Sequence, residues 1–254
     1  MKAKCFECST LIEAADRQAL AEAFISHGSA AHAWSYPEEA LRNYAHNYAD
    51  ALDRLTGRTE RLDKIGPVTV QAMSEARIDD WLSFFDHDAF ADNPDWASCY
   101  CLEPHSPAPP EMPERPWRQI REMMVDRFRR GTTAGYLAYV DGRCVGWVNA
   151  SLRADYEIFK DVDLNGPEPR SVIGIACYVI APPWRQHGVA TAMLERIIED
   201  AASRGASWIE AYPHNKPAEG GAGHFRGPVS MYTARGFEPV EVRERYTVVR
   251  RPVS

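Results

Sequence analysis

The stretch Ser171–Gly205, SVIGIACYVIAPPWRQHGVATAMLERIIEDAASRG, decides the fold. Its apolar run Val172–Ile180 is rich in β-branched residues and too short to span a bilayer, so it reads as a buried strand. Pro182 and Pro183 end that strand, because neither can donate to a sheet ladder. A polar turn follows, Arg185-Gln186-His187-Gly188-Val189-Ala190. Beyond it Val189, Leu194, Ile197, Ile198 and Ala201 share one face of a predicted helix. Gly205 stands where a left-handed C-terminal cap belongs. Strand, tight turn and helix together make an anion site, since the first helical N–H groups lack intrahelical partners and sit at the positive end of the dipole. Gly188 lets the backbone close on a bulky anion, and Ala190 keeps the next contact small.

The spacing Arg185-x-x-Gly188-x-Ala190 after an apolar strand resembles the acetyl-CoA signature of the GNAT N-acetyltransferase superfamily. The later segment Met231-Tyr232-Thr233-Ala234-Arg235-Gly236-Phe237 is similar to that family's Tyr-x-x-x-Gly-Phe element. The resemblance covers about residues 66–250. It implies an α/β domain with a mixed sheet flanked by helices, in the order β-α-α-β-β-β-α-β-α-β. Residues 1–64 stand outside it and read as a small helical module; the second domain is 66–254.

Composition narrows the classes. With 45% hydrophobic and 26% charged residues, the chain is an ordinary globular protein. A net charge of −7 argues against nucleic acid and anionic membranes as partners and favours a cationic one. No apolar run is long enough to cross a bilayer and no basic-apolar leader opens the chain, so a cytoplasmic protein is expected. The six cysteines then read as thiols or metal ligands. Oligomeric state is open, a homodimer included.

In the N-terminal module, helices are predicted from Leu11 to Ile25 and from Pro37 to about Gly57. Cys5-x2-Cys8, eighteen residues, then His27-x4-His32 supplies four ligands for a closed tetrahedral Zn²⁺ site. The gap is too long for a C2H2 finger, and the module is not basic. Two helices bury little, and a structural metal would staple them.

Gly66-Pro67 marks the boundary. Val68–Val70 reads as a strand, Ala72–Asp88 as a helix and Trp117–Arg130 as another. Tyr136–Val140 and Val145–Ala150 form a hairpin around Asp141-Gly142. Ser207–Tyr212 is a strand, Pro213–Pro228 a Gly-rich insertion, Val229–Ala234 a short helix and Glu241–Val249 a final strand. From Ile78 to Glu114 there are nine carboxylates, six large aromatics and neither lysine nor arginine.

Acetyl transfer to an amine needs an oriented thioester, a neutral amine and a proton for the departing thiolate. The resemblance implies that main chain near Val179 and Ile180 binds the pantetheine arm like an added strand. It also implies that the amides of Gln186, His187, Gly188, Val189, Ala190 and Thr191 receive the pyrophosphate, with Arg185 supplying charge. Tyr232 matches the family's general acid. The family's glutamate on the strand before the signature falls at Gly174 here and does not carry over. Glu210 is the substitute base, with His214 behind it; it reads equally as an edge-strand charge, and direct attack by an amine that sheds its proton to water needs no base. Cys99-x-Cys101-x3-His105 has metal-ligand residue types but no fourth ligand, and Cys177 reads as a packed thiol.

The expectation is an acetyl-CoA-dependent N-acetyltransferase acting on a small cationic amine. Asp86, Asp88 and Asp92 would bind that acceptor, and an aminoglycoside-like antibiotic, hence a resistance-type modification, is the best single guess. The alternatives are a protein or peptide amine acetyltransferase docking through the N-terminal module, and a non-catalytic acetyl-CoA-sensing zinc protein.

Overall fold

The computed structural model describes residues 1–163, 165–216 and 221–253. A seven-stranded sheet forms its centre. In chain order the strands are β3 (Val68–Ala72), β4 (Gly135–Val140), β5 (Arg143–Leu152), β6 (Val172–Ile180), β7 (Trp208–Ala211), β8 (Glu238–Val242) and β9 (Thr247–Pro252), and in space they run β3-β4-β5-β6-β7-β9-β8. Only β6 and β7 are parallel, because the helix α5 (Val189–Asp200) carries the chain back between them. All nine residues of β6 are at least largely buried, as an apolar run without alternation demands. Helices α3 (Ile78–Ser83), α4 (Trp117–Arg129) and α6 (Val229–Thr233) complete the domain. Trp81, Phe85, Tyr100 and Trp147 are fully buried in one core with the sheet.

Near the N-terminus, β1 (Lys2–Lys4) and β2 (Leu11–Glu13) pair antiparallel, and α1 (Arg17–His32) and α2 (Glu38–Arg54) follow. The helix expected from Leu11 therefore begins six residues later. Asp16 caps it, its carboxylate accepting the Ala19 N–H at 2.9 Å, while Leu11–Glu13 pair across the Cys5–Thr10 turn instead. Ala3, Leu20, Phe24, Leu41, Ala45 and Tyr48 form a second, smaller core. Ala51 of α2 belongs to the main core, and Leu55, Leu62 and Ile65 pack against it.

Two further expectations need correction. The helix predicted over Ala72–Asp88 is shorter, because Ala72 still belongs to β3 and Phe84–Asp88 open into a π turn after α3. The last predicted strand is a hairpin, β8 and β9, turning at Arg243–Tyr246 where the Arg243 N–H donates to the Tyr246 carbonyl at 2.9 Å. Pro217–Gly220 of the predicted insertion lie outside the described residues.

Candidate active site

β6 and β7 run side by side only where Val172–Ile175 face Trp208–Ala211. Beyond Ile175 the strands part, and the rest of β6 keeps β5 as its only strand neighbour. The Ala181 N–H donates to the Val145 carbonyl on the β5 side at 3.0 Å. By strand alternation the peptide groups of Tyr178 and Ile180 therefore face the vacated edge, and those of Val179 face β5. Of the two residues predicted to hold an extended arm, Ile180 is on the open edge; Val179 lines the cavity but turns its main chain away. The Tyr178 N–H reaches the Phe225 carbonyl at 2.6 Å, and the Ile180 carbonyl accepts Arg185 Nε at 2.9 Å.

A cavity of about 840 Å³ lies along this edge. Ala176–Ile180, the turn Gly188–Thr191, parts of the 89–115 region and Phe225–Pro228 form its walls. At one end stands the start of α5. Gly188 is its N-cap, with φ of +79° and no side-chain cap, and the first turn carries no acidic residue. A Cβ on Gly188 would meet nothing within 4 Å, so its left-handed backbone rather than crowding calls for glycine, and the space above the turn is open to a large anion. Arg185, Gln186, Gly188, Val189, Ala190 and Thr191 all reach the cavity.

His187 does not line it: its Nε2 lies 2.7 Å from the Leu62 carbonyl. That contact belongs to a strap that sequence reasoning missed. The segment 57–65 crosses the turn, with Arg61 donating to the Gln186 side chain at 2.6 Å and the Leu62 N–H to the Pro183 carbonyl at 3.0 Å.

Tyr232 is fully buried and, like Glu210, does not line the cavity; its hydroxyl donates to the Arg226 carbonyl at 2.8 Å. Burial, with Tyr178 beside it, pushes its pKa well up. Tyr178 lines the cavity, and its own hydroxyl is buried with no hydrogen-bond partner.

Glu210 does not stand where a base is needed. It is 0% exposed, held by Arg153 Nη1 at 3.2 Å and Arg250 Nη2 at 2.6 Å, and it accepts the Tyr212 hydroxyl at 2.8 Å. It is absent from the cavity wall. Two buried guanidinium groups and the Tyr212 hydroxyl occupy its oxygens, so the expected general base sits in a structural ion pair away from the cavity. His214 borders a smaller pocket of about 170 Å³ instead. Gly174 has no room for the family's glutamate, since even a Cβ there would sit 2.9 Å from the Tyr156 ring.

The acidic window fares likewise. Asp86 is gripped by Arg121 at 2.9 Å and by the Tyr100 hydroxyl at 2.6 Å. Asp88 is buried against Arg143 at 2.6 Å, and Asp92 meets both terminal nitrogens of Arg185. None of the three lines the cavity, so their predicted acceptor role is corrected. The window lacks its own cations because they arrive from α4, β5 and the α5 turn. The carboxylates that do line the cavity are Asp95, Glu103 and Glu114. Asp95 accepts from Lys4 at 2.5 Å and from Tyr44 at 2.8 Å; Glu114 accepts from Asn47 and from Ser98 at 3.2 Å. Burial raises the Glu114 pKa against the pull of those two donors.

Cys101 and Cys177 meet at 2.7 Å in the cavity wall, and their contact together with burial pushes the Cys177 thiol well up. His105 is instead tied to Asn149 at 2.9 Å and to the Asp155 carbonyl at 2.8 Å, so Cys99, Cys101 and His105 form no metal site.

Cys5, Cys8, His27 and His32 converge, their ligand atoms all within 4.8 Å of one another. Cys5 Sγ lies 3.4 Å from His32 Nε2, and Cys8 Sγ lies 3.4 Å from His27 Nε2. A tetrahedral Zn²⁺ with ordinary Zn–S and Zn–N bonds sets such pairs about 3.6 Å apart, so the donor set fits the metal. His32 Nδ1 is oriented by Glu7 at 3.1 Å.

Residues 78–237 match a family profile described as "Acetyltransferase (GNAT) family". The chain belongs to the GNAT acetyltransferase family. It is an acetyl-CoA-dependent N-acetyltransferase. No curated protein matches it. Solved structures resemble this GNAT enzyme distantly. An N-acetyltransferase from Staphylococcus aureus Mu50 is 12% identical, covering 74% of this chain and 100% of its own, with a TM-score of 0.45. An N-acetyltransferase from Thermoplasma acidophilum in complex with coenzyme A is 10% identical, covering 73% and 99%, with a TM-score of 0.46. An aminoglycoside acetyltransferase in complex with coenzyme A is 12% identical, covering 73% and 95%, with a TM-score of 0.47. At those identities the acceptor does not carry over.

Proposed function

We propose that this GNAT enzyme acetylates a primary amine of a small acceptor of cationic character inside the 840 Å³ cavity. One observation carries the reading: beyond Ile175 the edge of β6 that β7 leaves uncovered runs along that cavity beside the start of α5, with Tyr178 N–H and the Ile180 carbonyl held by Phe225 and Arg185. Acetyl-CoA supplies an activated acyl group as a thioester. The amides of Gly188–Thr191 would receive its pyrophosphate, and the Ile180 edge would align its extended arm. Arg185, drawn to Asp92 and to the Ile180 carbonyl, would brace that junction.

Tyr232 would deliver the proton to the departing thiolate only by turning its hydroxyl from the Arg226 carbonyl toward the cavity, whose wall it does not reach in this structure. With the pKa of that phenol raised, it keeps its proton through the neutral range. With Glu210 sequestered, the acceptor ammonium would lose its proton to water before attack.

Of the wall carboxylates, Asp95 is paired with Lys4 and Glu114 is held by Asn47 and Ser98, so the exposed Glu103 carries the support for a cationic acceptor. The pairing of Asp86, Asp88 and Asp92 with arginines removes the argument that singled out an aminoglycoside-like amino sugar and leaves the class. The Cys5, Cys8, His27, His32 cluster would hold a structural Zn²⁺ that staples the β1–β2 turn to α1 within residues 1–64, which pack against the transferase domain, 66–254, through α2 and the strap 57–65. No helix among the described residues is long and apolar enough to cross a membrane; a cytoplasmic setting agrees with six free cysteines.

The test is incubation with acetyl-CoA and a panel of amines while free thiol is followed. Amine-dependent thiol release with a mass gain of one acetyl group on the acceptor is expected. Release that no amine accelerates would overturn the reading and leave the sensing alternative.

A further inference from the structure

Most side chains lining the cavity are apolar. Trp96, Leu102, Pro104, Ile120, Ile158 and Phe225 come from separate parts of the chain to build its wall. The Pro104 carbonyl accepts the N–H groups of Glu157 and Ile158 at 2.9 and 3.3 Å, which fixes two of these pieces against each other. Trp96 and Phe225 meet edge to face, their ring centres 5.7 Å apart. Cys101, next to Leu102, touches Cys177, and the Phe225 carbonyl accepts the Tyr178 N–H. These side chains therefore stand along β6 ahead of Ile180. With the cofactor's pyrophosphate at Gly188 and its arm along Ile180, this is the end where the thioester meets its acceptor.

The polar groups of the same wall are spent on the protein. Arg115 donates to the carbonyls of Ser106 and Pro107 at 3.0 and 3.1 Å. Asp95 is tied to Lys4 and Tyr44, and Glu114 to Asn47 and Ser98. Glu103 is exposed and makes no ion pair among the described residues. The residues outside the description, Leu164, Pro217–Gly220 and Ser254, include no lysine or arginine to pair with it. Its charge reaches the wall: the Cys99 thiol there is pushed up by burial first, and then by Cys101, Glu103 and Glu114. One available carboxylate beside a broad apolar surface selects a ligand with one positive charge and an apolar body. A polyamine or an amino sugar would press further ammonium and hydroxyl groups against side chains that return no hydrogen bond, and each such burial is costly.

We propose that the acceptor is an amphiphilic primary monoamine, its one ammonium group drawn to Glu103 and its apolar body packed against Trp96, Leu102, Ile120, Ile158 and Phe225. The body is by preference an aromatic ring, since Trp96 and Phe225 offer ring surfaces to it. This rests on the acetyltransferase reading above and narrows it, setting polycationic acceptors aside.

The experiment uses the full-length protein with acetyl-CoA and three amines: 2-phenylethylamine, ethanolamine of similar basicity, and spermidine. Wild-type kcat/KM should be higher for 2-phenylethylamine than for ethanolamine by about 10–10²-fold, the worth of burying one ring, and spermidine should also fall below 2-phenylethylamine. Trp96→Ala should cost 2-phenylethylamine far more than ethanolamine, because it removes ring surface. Glu103→Gln should instead slow both by a similar factor. Equal use of 2-phenylethylamine and ethanolamine by the wild type, or a preference for spermidine, overturns the proposal and leaves the acetyltransferase reading standing. Thiol release that no amine accelerates strikes that reading instead. A second readout needs no turnover: calorimetric titration of the coenzyme A complex with each amine. Tighter binding of 2-phenylethylamine, weakened in Trp96→Ala, supports the apolar subsite even if no amine is acetylated. Equal binding of all three, or none of 2-phenylethylamine, overturns it. Should Trp96→Ala fail to bind coenzyme A, Ile120→Ala takes its place, since alanine is a strong helix former on α4. The same selective loss is then expected, and an equal loss for 2-phenylethylamine and ethanolamine is contrary to the proposal.

Discussion

At the scale of single residues, three side chains carry separable roles. Tyr232→Phe keeps the buried ring and loses only the hydroxyl on the Arg226 carbonyl. Its kcat should fall by about 10²–10⁴-fold with little change in the KM for acetyl-CoA, measured at saturating acceptor. Glu210→Gln should act on stability instead. It strips the counter-charge from Arg153 and Arg250, both buried, and should cost about 3–5 kcal/mol in denaturant unfolding. A variant that folds normally yet loses turnover would restore Glu210 to the chemistry. His105 is held neutral by burial, its pKa lowered to about 4 from an ordinary 6.5. Since protonation favours the unfolded chain, its contribution is full above about pH 6.5 and declines as pH falls toward 4, with a ceiling of about 3 kcal/mol. His105→Gln should flatten the stability profile across that window, whatever it does to absolute stability.

At the scale of elements, the turn into α5 is the most sensitive part of the domain. Gly188→Asp puts a carboxylate where the amides await an anion and forces a side chain onto a φ of +79°. Acetyl-CoA binding by calorimetry should be lost, and normal affinity would move the cofactor site elsewhere. This element was fully legible in the sequence, because strand, turn and helix signals there are local and agree with one another. The hairpin β4–β5 was legible for the same reason. Leu11–Glu13 was not: three residues cannot display a period, and the partner that makes them a strand lies across a turn. The acceptor carboxylates were misassigned for a related cause. A run without lysine or arginine looks free of partners in one dimension, yet Arg121, Arg143 and Arg185 reach it from remote elements.

At the scale of the molecule, the N-terminal elements are not an appendage. Asn43 and Asn47 of α2 donate to the carbonyls of Glu114 and Arg115 at 3.0 and 2.8 Å, and the Asn47 side chain accepts the first N–H of α4 at 2.9 Å. Lys4 and Tyr44 position Asp95. The Cys5, Cys8, His27, His32 cluster joins the β1–β2 turn to the end of α1, so if it holds zinc, Cys8→Ser or chelation should loosen β1, β2 and α1. The acceptor KM should then rise, by roughly tenfold, while acetyl-CoA affinity stays intact, because the strap 57–65 that braces the α5 turn is tied to the main core through Leu62 and Ile65 rather than to the cysteine–histidine cluster. Metal analysis returning no zinc from protein never exposed to chelator would end that chain of reasoning. Its converse is thermodynamic. If metal at one end tightens the acceptor at the other, then occupancy of the cavity must tighten the metal by the same factor. A saturating acceptor should therefore lower the equilibrium fraction of zinc surrendered to a competing chelator, and Asn47→Ala should erase that protection without touching a single ligand of the ion.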